Sequence, residues 1–294
     1  MTDSTNTVPS ARIGVRKTSK LYIGGEFPRS ESGRTFVVND AAGGFLANAA
    51  LASRKDARDA VVAARSAFPG WSGRTAYNRG QVIYRIAEVL EGRRDQFAAE
   101  LTLTEGVSVA IARQYVDAGI DRLVWYAGWA DKVAQVVGGA NAVAGPFFNH
   151  STPEPMGVVA VLAPKGPLLG LISVVAPVIT TGNTAVVIAS ESHPLTAITL
   201  SEVMATSDLP PGVVNVLTGR AGEIAPWLAS HMDVNGIDLT GVTDNELATS
   251  LEVAAADNLK RVRRPRTEDL LEPPALDRMT DFLELKTVWH PMGI

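Results

Sequence analysis

The chain has 294 residues, 46% of them hydrophobic, with 27 Lys and Arg against 31 Asp and Glu for a net charge of -4, and it contains no cysteine. At roughly 150 residues per domain this is about two domains' worth of core, which excludes a disulfide-stapled miniature fold. With no cysteine there is neither a thiolate nucleophile nor a thiolate metal ligand, and without a basic stripe nucleic acid is not an expected partner.

Residues 1–20 are polar, carry Arg12, Arg16, Lys17 and Lys20, and lack the apolar core of a secretory signal, so a disordered or docking tail is expected. Leu21-Tyr22-Ile23 and Glu26-Phe27 flank Gly24-Gly25, a pair that accepts positive φ, and predict a tight hairpin turn. Ser53 with Asp56 three residues on opens a helix whose apolar face runs through Ala57, Ala60, Val61, Ala64 and Phe68 until Pro69-Gly70 stops it. Two more helices are expected, one over 79–91 and one over 109–137 that ends at Gly138-Gly139 and packs Trp125, Tyr126 and Trp129 into the core.

From Met156 the pattern changes to short Val- and Ile-rich runs at 158–163, 184–188, 213–217 and 236–239, with a fifth at 260–262. Helical stretches begin near Leu168, Pro194, Ala221 and Thr243. Strands buried on both faces read as continuous apolar runs, and parallel strands need crossover helices, so a Rossmann-like, doubly wound α/β domain is expected, with its pocket at the carboxyl ends of the strands. Arg263-Arg264-Pro265-Arg266 and Glu272-Pro273-Pro274 mark 263–281 as a linker, and 282–294 holds an extended segment with Leu283, Leu285, Thr287 and Trp289 on one face. The run at 168–180 is too short to span a bilayer, which needs about 20 apolar residues, and a cytoplasmic location without membrane contact is expected.

The four histidines stand apart at 150, 193, 231 and 290 and form no helical metal-site pair, so no metal is expected. Ser190-Glu191-Ser192-His193 is a polar cluster just past a strand end, the best local candidate for ligand contact; as a nucleophilic pair it is weak, because that chemistry needs a triad and an oxyanion hole. Pro164-Lys165-Gly166-Pro167 can bind an anion through helix-terminal N–H groups and the Lys165 ammonium, and Gly219-Arg220-Ala221-Gly222 offers a similar turn. Ordinary strand-to-helix turns with solvated cations are the competing reading.

Several segments together resemble the aldehyde dehydrogenase superfamily: Leu21 to Glu26, Ala63 to Trp71, Tyr126-Ala127-Gly128-Trp129-Ala130-Asp131-Lys132, Glu154 to Val159, Gly182-Asn183-Thr184 and Leu209 to Gly219. The resemblance implies a coenzyme domain for NAD or NADP over 21–262, with an oligomerisation arm near 140–155. It also implies a cysteine nucleophile, a glutamate base in Glu-Leu-Gly-Gly and an oxyanion asparagine in Pro-Trp-Asn-Phe-Pro. Here there is no Cys, Arg263-Arg264-Pro265-Arg266 replaces the glutamate segment, and the asparagine turn shortens to Pro164-Lys165-Gly166-Pro167, so no catalytic residue is expected. The expected coenzyme contacts are Pro164, Lys165, Glu191, Gly219, Thr240 and Gly241; of the family's ribose-holding Lys-Pro-Ala-Glu segment, which the resemblance aligns with Ile188-Ala189-Ser190-Glu191, only Glu191 is kept. Val242 stands where a phosphate-binding serine would be, and Ala221 and Ala225 stand for glycines, so coenzyme binding is expected to be weakened or lost.

Leu285-Lys286-Thr287-Val288 resembles the family's last strand, which pairs with a neighbouring subunit; the catalytic domain is then missing between about Val262 and Asp277 while the assembly strand is kept. The expected protein is a non-catalytic structural or regulatory subunit, in a homo-oligomer or with a catalytic aldehyde dehydrogenase. The alternatives are an NAD(P)-dependent oxidoreductase using a non-cysteine route and a binding protein for another nucleotide or small metabolite.

Overall fold

The computed structural model describes residues 17–266 and 268–293. The N-terminal part runs through β1 (Thr18–Ser19), β2 (Thr35–Asn39), β3 (Phe45–Ala50) and the helices α1 (Arg54–Ser72), α2 (Ala76–Gly92), α3 (Arg94–Glu105), α4 (Val109–Trp129) and α5 (Val133–Val137). The arm strands β4 (Gly139–Asn141) and β5 (Phe147–Pro155) follow. Then β6 (Val158–Leu162), α6 (Leu169–Thr180), β7 (Thr184–Ile188), α7 (Pro194–Ala205), β8 (Val214–Leu217), α8 (Ala221–Ser230), β9 (Gly236–Asp238), α9 (Asn245–Ala256) and β10 (Arg261–Arg263) alternate. The short α10 (Asp277–Thr280) and β11 (Leu283–Pro291) complete the order.

The central sheet is wholly parallel, in the order β10-β9-β6-β7-β8. Every residue of β6, Val-Val-Ala-Val-Leu, and of β7, Thr-Ala-Val-Val-Ile, is buried. Alternation of side chains splits β6 between two cores: Val159 and Val161 join the cluster built on α2, α4 and α6, whereas Val158, Ala160 and Leu162 join α1, α8 and α9. Covering both faces is what requires continuous apolar strands, and α6, buried along its entire length, is the innermost crossover. The order reverses between β6 and β9, the topological switch point where an α/β sheet opens a crevice.

Several expectations are corrected. Helix α1 continues through Pro69 to Ser72, because Trp71 is wholly buried and its indole Nε1 donates to the Ile179 carbonyl at 2.9 Å, which holds the last turn in place. The expected helix over 109–137 is interrupted at Ala130 to Lys132, so α5 is separate. The turn at Gly24-Gly25 forms with both φ positive, closed by reciprocal Ile23 and Glu26 backbone bonds of 3.0 Å; the next pair keeps only the Leu21 N–H to Pro28 carbonyl bond of 3.0 Å, because Pro28 has no N–H to return, and Tyr22 on the other edge pairs with Val216. Of the expected tail, Lys17 to Lys20 is docked: β1 pairs in parallel with β3, and Lys17 is bonded to Glu202. The rest of that tail lies outside the described residues.

The arm is a three-stranded antiparallel sheet, β11-β5-β4. Strand β11 pairs with β5 of its own chain, from Leu283 opposite Pro155 to Pro291 opposite Phe147. Nine aligned positions within one chain form that ladder without the entropy cost of association, and β11 keeps one unpaired edge among the described residues.

The stretch 263–281, expected as a linker, is a fastened strap. Arg263 closes β10 and is buried, and it pairs with Glu268 at 2.7 Å, with Asp277 at 3.0 Å and with Asp281. Arg278 of α10 pairs with Glu268 at 2.6 Å and with the wholly buried Asp238 at 3.3 Å. From α4, Arg122 donates to the carbonyls of Leu270 at 2.5 Å and Glu272 at 2.8 Å. The strap thereby closes the distance from sheet to arm over residues 264–282 alone.

Candidate functional site

The carboxyl ends of β6 and β7, the start of α8 and the turn from β9 into α9 enclose a cleft of about 370 Å³. This is the switch-point crevice that the strand pattern requires. Three of the six expected coenzyme contacts line it: Lys165, Glu191 and Gly241. Gly241 is needed there for space rather than for its backbone angle. Its N–H donates to the Leu162 carbonyl at 2.9 Å, and a Cβ would collide with the Ala163 carbonyl.

The other three expected contacts serve the scaffold. Pro164 packs on Gly170 at the start of α6. Gly219, with φ +148, sits against Ala52 and Leu51, where a side chain would be crowded. Thr240 turns toward the strap: its N–H donates to Asp238 Oδ1 at 2.8 Å, its hydroxyl bonds the same carboxylate, and Arg278 approaches it at 3.4 Å.

Electrostatically the cleft is self-occupied at two helix starts. The Ala221 N–H, at the start of α8, donates to Glu191 Oε1 at 2.5 Å. The Asp244 side chain caps α9, accepting from Glu246 N at 2.9 Å and Leu247 N at 3.4 Å. Both helices therefore present a carboxylate where an incoming anion would seek N–H donors and the positive end of the dipole. Val242, nearly buried and lining the cleft, adds no hydroxyl. Ala221 lines the cleft as its place in the sequence suggests, but Ala225 does not, lying on the wholly buried face of α8.

Lys165 is the exposed cation of this face. Burial raises Glu105 above the ordinary carboxylate value, and the neighbouring Lys165 ammonium pulls against that shift. Burial lowers His193, Lys165 lowers it further, and a backbone bond at Thr104 opposes both. Ser190 and Ser192 share a hydrogen bond of 3.2 Å, and among the described residues neither is bonded to His193, so the cluster does not assemble a nucleophile and base. Sequence reasoning missed the Asp244 cap; an Asp just before an apolar helical stretch was its available signal.

A doubly wound α/β domain of this order, with a crevice at the switch point and a three-stranded arm beside it, is an architecture that presents a ligand-sized cleft at the carboxyl ends of its strands. The chain belongs to the aldehyde dehydrogenase family, whose model matches residues 27–263. It is 36% identical to cytosolic aldehyde dehydrogenase 1 of Elephantulus edwardii over 261 residues, which is 86% of this chain and 51% of the relative. It is 34% identical to human mitochondrial aldehyde dehydrogenase, over 83% of this chain and 48% of that protein. Among solved structures, HpcC from Thermus thermophilus superposes with a TM-score of 0.78 at 32% identity, covering 84% of this chain and 47% of HpcC. The NAD+ complex of an aldehyde dehydrogenase from Bacillus cereus superposes with a TM-score of 0.79 at 28% identity, covering 84% and 50%. The chain spans about half the length of the curated relatives it matches.

Proposed function

We propose that this protein is a non-catalytic member of the aldehyde dehydrogenase family, a structural or regulatory subunit that assembles through its arm, with a catalytic aldehyde dehydrogenase as the favoured partner. The observation that carries this reading is internal to the chain: β10 reaches the arm strand β11 through residues 264–282 alone, a strap held by Arg263, Arg278 and Arg122. In the resemblance drawn from sequence, the catalytic domain belongs at this point, and the chain has no cysteine with which to attack an aldehyde.

The cleft supports weakened coenzyme binding. A dinucleotide brings two phosphates, and the helix starts of α8 and α9 already hold the carboxylates of Glu191 and Asp244. Replacing such contacts loses about 1 to 3 kcal/mol each, so NAD+ and NADP+ are expected to bind no more tightly than about 1 mM. Calorimetric titration measures this; micromolar binding would favour the second reading, a nucleotide-binding protein, whose support is the retained cleft with the Lys165 ammonium in its wall.

The assembly reading is tested by native mass spectrometry of the purified chain, alone and mixed with a cysteine-containing family member. Mixed oligomers are expected. A stable monomer that ignores the second protein overturns the reading.

A further inference from the structure

The N-terminal sheet has the order β1-β3-β2, so β2, Thr35-Phe36-Val37-Val38-Asn39, is an edge strand. Proteins blunt such edges with a charge, a proline or a covering loop, because the outward N–H and C=O groups template pairing with another chain. This strand holds neither charge nor proline, and Thr35, Val37 and Asn39 are exposed. The bonds at its two ends show which backbone groups point outward. The Arg34 carbonyl accepts from Leu51 N at 2.9 Å, and Asp40 N donates to the Gly44 carbonyl at 2.8 Å. In an antiparallel ladder the direction alternates, so Arg34, Phe36, Val38 and Asp40 face β3, while Thr35, Val37 and Asn39 turn their N–H and C=O groups away from it. Among the described residues no strand pairs with that outer side.

Opposite charges bracket the strand, Arg34 three residues before Val37 and Asp40 three residues after it. Among the described residues neither is in an ion pair. The Arg34 guanidinium reaches only Ser32 Oγ, at 3.4 Å. Asp40 uses Oδ1 to hold its own turn, accepting from Ala42 N at 3.0 Å and Gly44 N at 2.8 Å, which leaves Oδ2 available. An antiparallel pair of two copies centred on Val37 sets Arg34 of each copy opposite Asp40 of the other. The same register sets Phe36 against Val38, Thr35 against Asn39 and Val37 against its own counterpart, and it brings the outward N–H and C=O groups face to face. Centring on Phe36 would oppose Arg34 to Val38, and centring on Val38 would oppose Phe36 to Asp40. Charge, polarity and backbone direction thus agree in one register, and it is the self-complementary one that a two-fold interface requires.

We propose that β2 is a docking edge for a second copy of this chain: two β2 strands pair antiparallel about Val37 and join the two N-terminal sheets into one across a two-fold axis. The contact goes beyond the assembly reading above, since β2 and β11 belong to different sheets. A single strand pair buries less than the ~1,200 Å² of a stable interface, so the dissociation constant is expected on the order of 100 μM. The pairing therefore shows at high protein concentration, above the range in which oligomers held by the arm are read.

The absence of cysteine makes the register directly readable in the full chain. Val37→Cys is expected to give a disulfide-linked dimer under mild oxidation, because opposed Cα atoms of a hydrogen-bonded pair lie about 5.5 Å apart, within disulfide reach. Val37 is 58% exposed and Val62, on α1, is 60% exposed, so Val62→Cys is the matched control. It is expected to cross-link about tenfold more slowly, lacking the local concentration that pairing supplies. Sedimentation equilibrium up to about 1 mM, in the Leu285→Lys, Trp289→Lys background, reads the β2 contact without the arm. There Val37→Lys, which opposes like charges on the two-fold axis, is expected to weaken dimerisation about tenfold, and Arg34→Glu, which turns two attractions into repulsions, about fivefold and less at high salt. Both side chains are exposed, so melting temperatures are expected to stay within a few degrees of the parent. Equal cross-linking at positions 37 and 62, no dimer in the arm background at the highest concentration, or a dimer that Val37→Lys leaves unchanged overturns the proposal. Parent oligomers that vanish entirely in the arm background would overturn it while supporting assembly through the arm.

Discussion

Single residues separate two uses of glycine, one in the N-terminal turn and one in the cleft. Gly24 and Gly25 are required for positive φ, at +61 and +83, whereas Gly241 is required because β6 and the turn after β9 approach so closely that a methyl has no room. Overpacking against backbone cannot be relieved by a rotamer change, so Gly241→Ala is expected to destabilise the fold by about 2 kcal/mol. Urea denaturation measures it, and an unchanged midpoint would refute the crowding. Of the site, sequence reasoning located Lys165, Glu191 and Gly241 in the cleft but could not see that Thr240 faces away. Neighbours in sequence such as Thr240 and Gly241 face opposite partners, and which partner each meets depends on Arg278, 38 residues away.

Among the elements, the strap is the least legible in sequence. Arg263-Arg264-Pro265-Arg266 and Glu272-Pro273-Pro274 read as solvated linker, yet Arg263 and Arg278 are buried and gather Glu268, Asp277, Asp281 and Asp238 around them. Burial raises Glu268 and Asp277, but the guanidiniums outweigh it and hold both carboxyls below the ordinary range. Their contribution to stability is therefore complete above the ordinary carboxylate pKa of about 4 and is lost as pH falls through their lowered folded values. Asp238 works with the opposite sign: burial raises it, Arg278 and Thr240 offset that only in part, and its ionisation on raising the pH costs stability. Glu268→Gln is expected to lie below the parent in urea midpoint at neutral pH and to approach it as pH falls below about 4. Parallel loss across the whole range would show that Glu268 contributes packing and not charge. The strands of the sheet were legible because full burial writes an unbroken apolar run; Pro69 misled because the proline signal is local and the burial of Trp71 is not.

For the whole molecule, the arm offers the surface on which the proposed assembly would rest. Strand β11 occupies its own chain's β5, which leaves its other edge unpaired among the described residues and the side chains of Leu285 and Trp289 exposed on one face. Phe147, in edge contact with Trp289 at 5.8 Å, adds to that apolar surface. Long exposed edge strands with apolar faces invite pairing. If the arm is the assembly surface, Leu285→Lys with Trp289→Lys is expected to convert oligomers to monomers in light scattering while leaving the melting temperature of the parallel-sheet core within a few degrees. Oligomers that survive both substitutions would move the interface elsewhere. No helix among the described residues is long and apolar enough to cross a membrane.

The sequence by itself determined the parallel sheet, its crossover helices and the family, because Val and Ile runs, glycine turns and short family segments are written in consecutive residues. It also determined that no cysteine is present. Only the tertiary structure decided that β11 pairs within its own chain, that 263–281 is fastened rather than free, and that Arg122 of α4 is buried and donates to the strap carbonyls. The reason is the range of the interactions: periodicity is set by neighbours three or four residues apart, whereas Arg122 meets Leu270 across 148 positions and its burial exists only once the sheet has brought them together.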